Sequence, residues 1–227
     1  MSKKYELVVD DTITFWGWKL FRIRALISFG SVDAGDLGGY IYTEDNLSQK
    51  GDAWVSGDAK VWGDAKVSGN AKVSGNAEVS GDAEVLGNAE VSGNAKVSGD
   101  AEVWGNAEVW GNAKVSGNAK VSGDAEVWGN AEVWGNAEVS GDAEVWGNAE
   151  VSGDAKVSDF EDVIVFKNHW SSGRHFTYTK SNKMWRVGCF YGTGQELIDK
   201  AYRDSEKSGN FYKAYVEFIA SLEGLGE

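Results

Sequence analysis

Between Gly51 and Ser158 the apolar positions obey a six-residue rule, G-[DN]-A-x-V-[SWL], repeated eighteen times without insertion or deletion. Within each unit Ala and Val stand two apart. On an extended chain they point to one side, while x and the sixth residue point to the other. Gly accepts positive φ without strain and Asn and Asp tolerate it next best, so each Gly-Asn or Gly-Asp pair predicts a corner between short strands. The repeat therefore predicts a solenoid with an Ala/Val interior. Its coils contact only their neighbours, so both ends need caps.

The pattern changes on either side of the repeat. In residues 1–50, KYELVV and ITFWGWKLFRIRALI read as strands of an irregular β-layer, an N-terminal β cap. Residues 159–227 read as a small C-terminal α+β domain. DVIVFKN, RHFTYTK and MWRVGCF predict three strands joined by the polar turns SSG and SNK. Thr193 with Glu196 forms a capping box that starts a helix through QELIDKAYRDSEK. Ser208-Gly209-Asn210 predicts its end. FYKAYVEFIASLE then predicts a second helix with Phe211, Tyr215, Phe218, Ile219 and Leu222 on one face.

A six-residue side with one small and one branched inward residue resembles the hexapeptide motif of left-handed parallel β-helices. That resemblance implies three sides per turn, so residues 51–158 would make six 18-residue coils, about 29 Å of stacked strands. Handedness rests on the resemblance alone, because left-handed crossovers run against the general preference. The phrases GDLGGYI and NLSQKGDAWV in the cap are similar to the N-terminal region of bacterial and prophage β-helix proteins often labelled polymer-forming or transferase-like. The tail resembles the small domain that follows such repeats in prophage proteins of Gram-positive bacteria. The group has no agreed activity, so the resemblance carries over no site residues.

The chain has 227 residues, with 30 glycines, no proline and one cysteine, and it carries a net charge of −13. Glycine at a fixed period is structural punctuation and not a sign of disorder. Cys189 alone excludes an internal disulfide and a cysteine-based metal cluster. We expect a buried, inert thiol there. There is no apolar run long enough for a signal peptide or a membrane span, and we expect a cytoplasmic protein with no membrane partner. Residues 51–158 hold 18 acids against seven lysines, a balance of −11, so direct nucleic-acid binding is not expected.

Many left-handed β-helix proteins are trimeric acyltransferases that use a histidine on or near a coil. Here the coils hold neither histidine nor inserted loop. The only two histidines, His169 and His175, lie in the tail as part of KNHWSSGRHF and form no Ser/His/Asp or paired-carboxylate pattern. No enzyme activity, metal or cofactor is expected. Asn alternates with Asp at the corners without evident pattern, which speaks against calcium.

The outward positions remain. Sorting every third hexapeptide onto one face gives two columns of mixed sign and one that differs. That face carries Glu90, Glu108, Glu126 and Glu144 in a row at x, with Trp110, Trp128 and Trp146 beside them. An exposed apolar strip on a soluble surface usually marks a contact. We therefore expect a non-catalytic β-helix scaffold that binds a protein partner, or a second copy as a dimer or homotrimer, through these seven residues. Three alternatives stand beside this reading: an acidic mimic of DNA that inhibits a host nuclease or defence protein, a glycan-binding surface, and, last, a hexapeptide acyltransferase.

Overall fold

The computed structural model describes residues 3–225. Each hexapeptide contributes one two-residue strand. After β1 (Tyr5–Phe15), β2 (Trp18–Ala25) and β3 (Leu37–Ile41) come eighteen such strands, β4 (Trp54–Val55) through β21 (Lys156–Val157). They sort into three parallel sheets by taking every third strand, so the molecule is a parallel β-solenoid with three faces. Register is in phase throughout, with x over x and Val over Val, as in Glu108↔Glu126 and Val109↔Val127. Every inward Ala and Val of the repeat is at most 1% exposed, and together they form one continuous core. The corners need glycine for two reasons, and Gly105 shows both. Its φ is +78°, and a Cβ there would stand 2.9 Å from the backbone N and O of Gly123 in the next coil.

Coiling begins earlier than the repeat. Tyr40 and Ile41 of β3 pair in parallel with Lys60 and Val61, and Leu47 bridges to Val67. One face therefore holds seven parallel strands, and the solenoid has about seven turns instead of six. Residues 37–50 adopt the coil path without the repeat sequence. β1 and β2 form an antiparallel hairpin that extends the same sheet beyond β3. Trp54, an x residue expected to point to solvent, is buried by this cap against Tyr5 and Phe29.

The caps complete the hydrogen-bond ladders that the ends of the solenoid would otherwise leave open. Each coil donates backbone N–H groups to carbonyls of the next, as in Asn70 N to Gly87 O (2.7 Å) and Lys72 N to Ala89 O (2.9 Å). At the first coil carbonyls such as Gly51 O and Ala53 O, and at the last coil N–H groups such as those of Glu150 and Lys156, would be costly if unpaired. Lys4 Nζ donates to Gly51 O (3.2 Å) and Ala53 O (2.8 Å), and Asn46 Nδ2 donates to Gly63 O (3.0 Å) and Ala65 O (2.8 Å). Two side chains thus substitute for a missing coil. At the far end, Thr177 Oγ1 accepts from Glu150 N and Ser181 Oγ from Lys156 N, both at 2.9 Å.

The tail is a four-stranded antiparallel sheet, where three strands were expected. The order is β22 (Val163–Lys167), β23 (His175–Thr179), β24 (Met184–Val187) and β25 (Phe190–Thr193). MWRVGCF is two strand ends with a turn between them, because Gly188 takes φ +56°. Cys189 sits in that turn and is exposed, not buried. Helices α1 (Gly194–Asp204) and α2 (Glu206–Glu223) pack on the sheet, and the Thr193/Glu196 capping box is present. The break falls at Ser205, whose side chain accepts from Ser208 N, and not at Ser208–Asn210. Gly209 lies inside α2, where a Cβ would meet the Tyr202 ring at 2.3 Å. It permits close helix packing and does not break the helix. The buried face of α2 is Gly209, Tyr212 and Ile219, with Tyr215 and Val216 half-buried, whereas Phe218 and Leu222 are exposed.

Candidate functional site

On the face that carries β7 (Lys72–Val73), β10 (Glu90–Val91), β13 (Glu108–Val109), β16 (Glu126–Val127) and β19 (Glu144–Val145), the in-phase register sets the four glutamates in one column. Backbone bonds from Trp110 N to Val127 O (3.0 Å) and Trp128 N to Val145 O (2.9 Å) hold the three rungs one coil apart. The indoles stack face to face. Trp110 and Trp128 are 4.9 Å apart at 2° between planes, and Trp128 and Trp146 are 5.5 Å apart at 13°. All seven residues singled out in the sequence lie on this one face.

The four glutamates are not equivalent. Glu90 Oε1 takes Lys72 Nζ at 2.7 Å. Among the described residues Glu108, Glu126 and Glu144 make no ion pair. Elsewhere on the coils, lysine and glutamate neighbours pair across coils: Lys66–Glu84, Lys96–Glu78, Lys114–Glu132, Lys120–Glu102 and Lys156–Glu138, between 2.7 and 3.7 Å. Such exposed pairs each stabilise by about 0–1 kcal/mol, and they leave Glu108, Glu126 and Glu144 as a column of unpaired x-position glutamates on the tryptophan face.

Parallel stacking covers most of the indole faces and leaves two open, one at each end of the ladder. Towards the N-terminus the axial neighbour of Trp110 is Ser92, and a notch of about 440 Å³ opens there between Glu90 and Glu108. Towards the C-terminus Trp146 is 55% exposed and borders a recess of about 630 Å³ shared with Phe160, Val165 and His175 of the tail. These tail residues lay outside the sequence reading, because nothing in the repeat says which strand docks beside the last coil.

Two further features escaped the sequence reading. Arg186 of β24 lays its guanidinium over Trp134 at 4.6 Å and donates from Nε to Glu150 Oε2 at 3.0 Å. The corner asparagines also form ladders, Asn76–Asn94–Asn112–Asn130–Asn148 and Asn70–Asn88–Asn106–Asp124, each amide donating to the carboxamide or carboxylate one coil on. Sorted by eighteen instead of six, the corners show runs of asparagine, two of which close on an aspartate, Asp124 and Asp154.

The clearest shifts in protonation lie in the caps. Burial of Lys4, only partly offset by Asp52, lowers its pKa to about 8, and burial with Glu44 nearby pushes Tyr5 up. Burial and the hydrogen bond to Glu223 push Tyr178 up. Among the described residues no group of three or more His, Cys, Asp and Glu is placed to hold a metal ion. No helix there is long and apolar enough to cross a membrane. His169 packs edge-on against Trp170 and Phe211, and His175 lines the recess beside Trp146, so the two histidines serve different surroundings. No family model and no curated protein matches this chain.

Proposed function

We propose that this protein is a non-catalytic scaffold, coiled as in the left-handed hexapeptide β-helices it resembles, whose Trp110/Trp128/Trp146 face binds another protein or a second copy of itself. The observation that carries this reading is the coincidence of the stacked indoles with Glu108, Glu126 and Glu144, the three coil glutamates of this face that no lysine balances. A parallel ladder on a fixed backbone loses little entropy when it is covered, so the apolar strip contributes to affinity with a small ordering cost. The resemblance to β-helix proteins favours self-association as a trimer or dimer as one form of this contact.

The other readings draw less support. Six of the seven coil lysines pair with glutamates, which interrupts the charged rod that a mimic of DNA would present. Sugar rings stack on open aromatic faces, and here the indoles cover one another except at the two ends. Among the described residues no grouping supports acyl transfer.

Size-exclusion chromatography with light scattering tests the reading, on the wild type and on Trp110→Ser/Trp128→Ser/Trp146→Ser at several salt concentrations. A wild-type oligomer that the triple variant dissociates places the ladder in a contact between copies. Monomers in both cases move the test to capture of a partner, with the same triple variant as control. Unchanged self-association together with unchanged capture would overturn the proposal.

A further inference from the structure

We propose that the notch between Trp110 and Ser92 binds an arginine side chain carried by a partner polypeptide, with Glu108 and Glu90 as its carboxylate neighbours. This inference rests on the protein-binding reading of the face and specifies the chemistry it recognises.

The molecule already makes such a contact with itself. Arg186 lies over the Trp134 ring at 4.6 Å and bonds to Glu150. In the hexapeptide grid Trp134 follows Glu132 in one coil, and Ser152 follows Glu150 at the same place in the next. Where a tryptophan rung gives way to serine, an indole face is uncovered, and the glutamates of the two coils flank it. A guanidinium is planar, weakly hydrated and able to stack on the ring while donating to a carboxylate at its edge. The rise per coil of about 4.8 Å leaves room for one such plane.

The same set, one Trp, one Ser and two Glu, recurs at Trp110 with the axial order reversed. Glu108 and Trp110 occupy one coil, and Glu90 and Ser92 the coil before it. Here no described residue fills the space. The notch of about 440 Å³ is open, and among the described residues no cationic group lies over Trp110. Glu108 has no ion-pair partner there, and Glu90 uses only Oε1 on Lys72. Charge complementarity therefore selects a cation, and the geometry selects arginine over lysine. Coil lysines also approach rings, Lys120 over Trp104 at 5.9 Å and Lys60 over Phe15 at 5.1 Å, but an ammonium cannot lay a planar face on the indole and donate sideways to a carboxylate as Arg186 does at Trp134 and Glu150.

The approach to the notch fits a polypeptide carrier. Ser56 and Ser74 continue the serine column, and with Leu37 and Val32 of the cap they line a groove of about 620 Å³ that shares Glu90 with the notch. A chain laid along this groove would bring a side chain against the exposed face of Trp110.

The test is a titration of the full chain with a capped nine-residue Gly/Ser peptide containing three arginines, and with its three-lysine twin, read by tryptophan fluorescence and calorimetry. The expected result is tighter binding of the arginine peptide by about fivefold or more. Trp110→Ser, Glu108→Gln and Ser92→Trp should each weaken it by about tenfold. Ser92→Trp is informative because it adds a rung to the ladder at a position type that already accepts tryptophan, and so plugs the notch without removing any contact. Ser98→Trp, on another face, should change nothing.

No binding of the arginine peptide, equal binding of both peptides, or equal loss with Ser98→Trp would each overturn the site. The two proposals fail separately. If the peptide does not bind but the triple serine variant alters assembly or capture, the arginine site falls and the protein-binding face stands. If the peptide binds and Ser92→Trp blocks it while Trp128→Ser/Trp146→Ser, which spares Trp110, leaves assembly and capture unchanged, the arginine site stands and the ladder is no wider interface.

Discussion

At the scale of single residues, the choice between Asn and Asp at a corner depends on the neighbours one coil away. An asparagine side chain both donates and accepts, so it can sit in the middle of a column. An ionised aspartate only accepts, so it can end a column but cannot continue one. The structure follows this rule at Asn106→Asp124 (2.8 Å) and Asn136→Asp154 (2.9 Å), where aspartate closes a run of amides. Asn112 lies inside a run, accepting from Asn94 and donating to Asn130, both at 3.1 Å. Asn112→Asp should therefore cost about 0.5–1 kcal/mol, one exposed hydrogen bond with its donor lost. Asp154→Asn should lie within about 0.5 kcal/mol of wild type. Denaturant midpoints of the two variants at neutral pH would check this, and equal costs would show that the ladders contribute nothing. These columns were legible in the sequence once the period was known, but not from any one hexapeptide. The partner of each corner stands eighteen residues away, and local reading sees only the shared tolerance of Asn and Asp for positive φ.

At the scale of elements, the solenoid itself was legible because one six-residue phrase specifies strand, corner and interior together. The ends were less so, since their task is to satisfy a ladder and not to repeat it. Lys4 and Asn46 substitute for backbone donors, and no local pattern distinguishes such residues from ordinary surface ones. Lys4 also carries a testable protonation signature. Its folded pKa is lowered from 10.5 to about 8 by burial. Above pH 8 the unfolded chain holds this proton more strongly than the folded one, so stability rises with pH up to the unfolded value near 10.5. Between pH 7.5 and 10 wild type should gain about 2 kcal/mol relative to Lys4→Met, which lacks the titrating group. Above pH 10 the trend is opposed, because Tyr5 and Tyr178 have raised values in the fold and their stabilising effect is lost as the unfolded chain ionises. Unfolding midpoints of both proteins across this range would measure the difference. A constant gap would mean that Lys4 is hydrated in solution. The tail was misread at Gly188 and Gly209 for a related reason. A lone glycine marks a special backbone or a close approach, and only the packing of Tyr202 on Gly209 decides which.

At the scale of the whole molecule, the repeat makes the two ends independent of each other in angle. Cap contacts reach only the first coils, and tail contacts only the last, as with Lys4 at Gly51 and Ala53 and Thr177 at Glu150. Removing one complete hexapeptide, residues 93–98, should thus leave a folded solenoid whose N-terminal part is rotated by one face relative to its C-terminal part. Stability in such arrays is a sum over units and their interfaces, so the melting midpoint should stay within about 5 °C of wild type. Removing three residues would instead turn Ala and Val outward and abolish folding. The deletion also separates the functions assigned to the tryptophan face. It brings Leu86, in place of Ser92, next to Trp110, because the axial neighbour always stands eighteen residues back. The notch should be filled and the arginine peptide lost, while Trp110, Trp128 and Trp146 keep their mutual stacking and any assembly built on the ladder alone persists. If the shortened chain folds, binds the peptide as before and loses its assembly, both assignments on this face are wrong. A contact spanning the full length of the prism would then be the surviving explanation, since only such a contact needs the two halves in their native alignment.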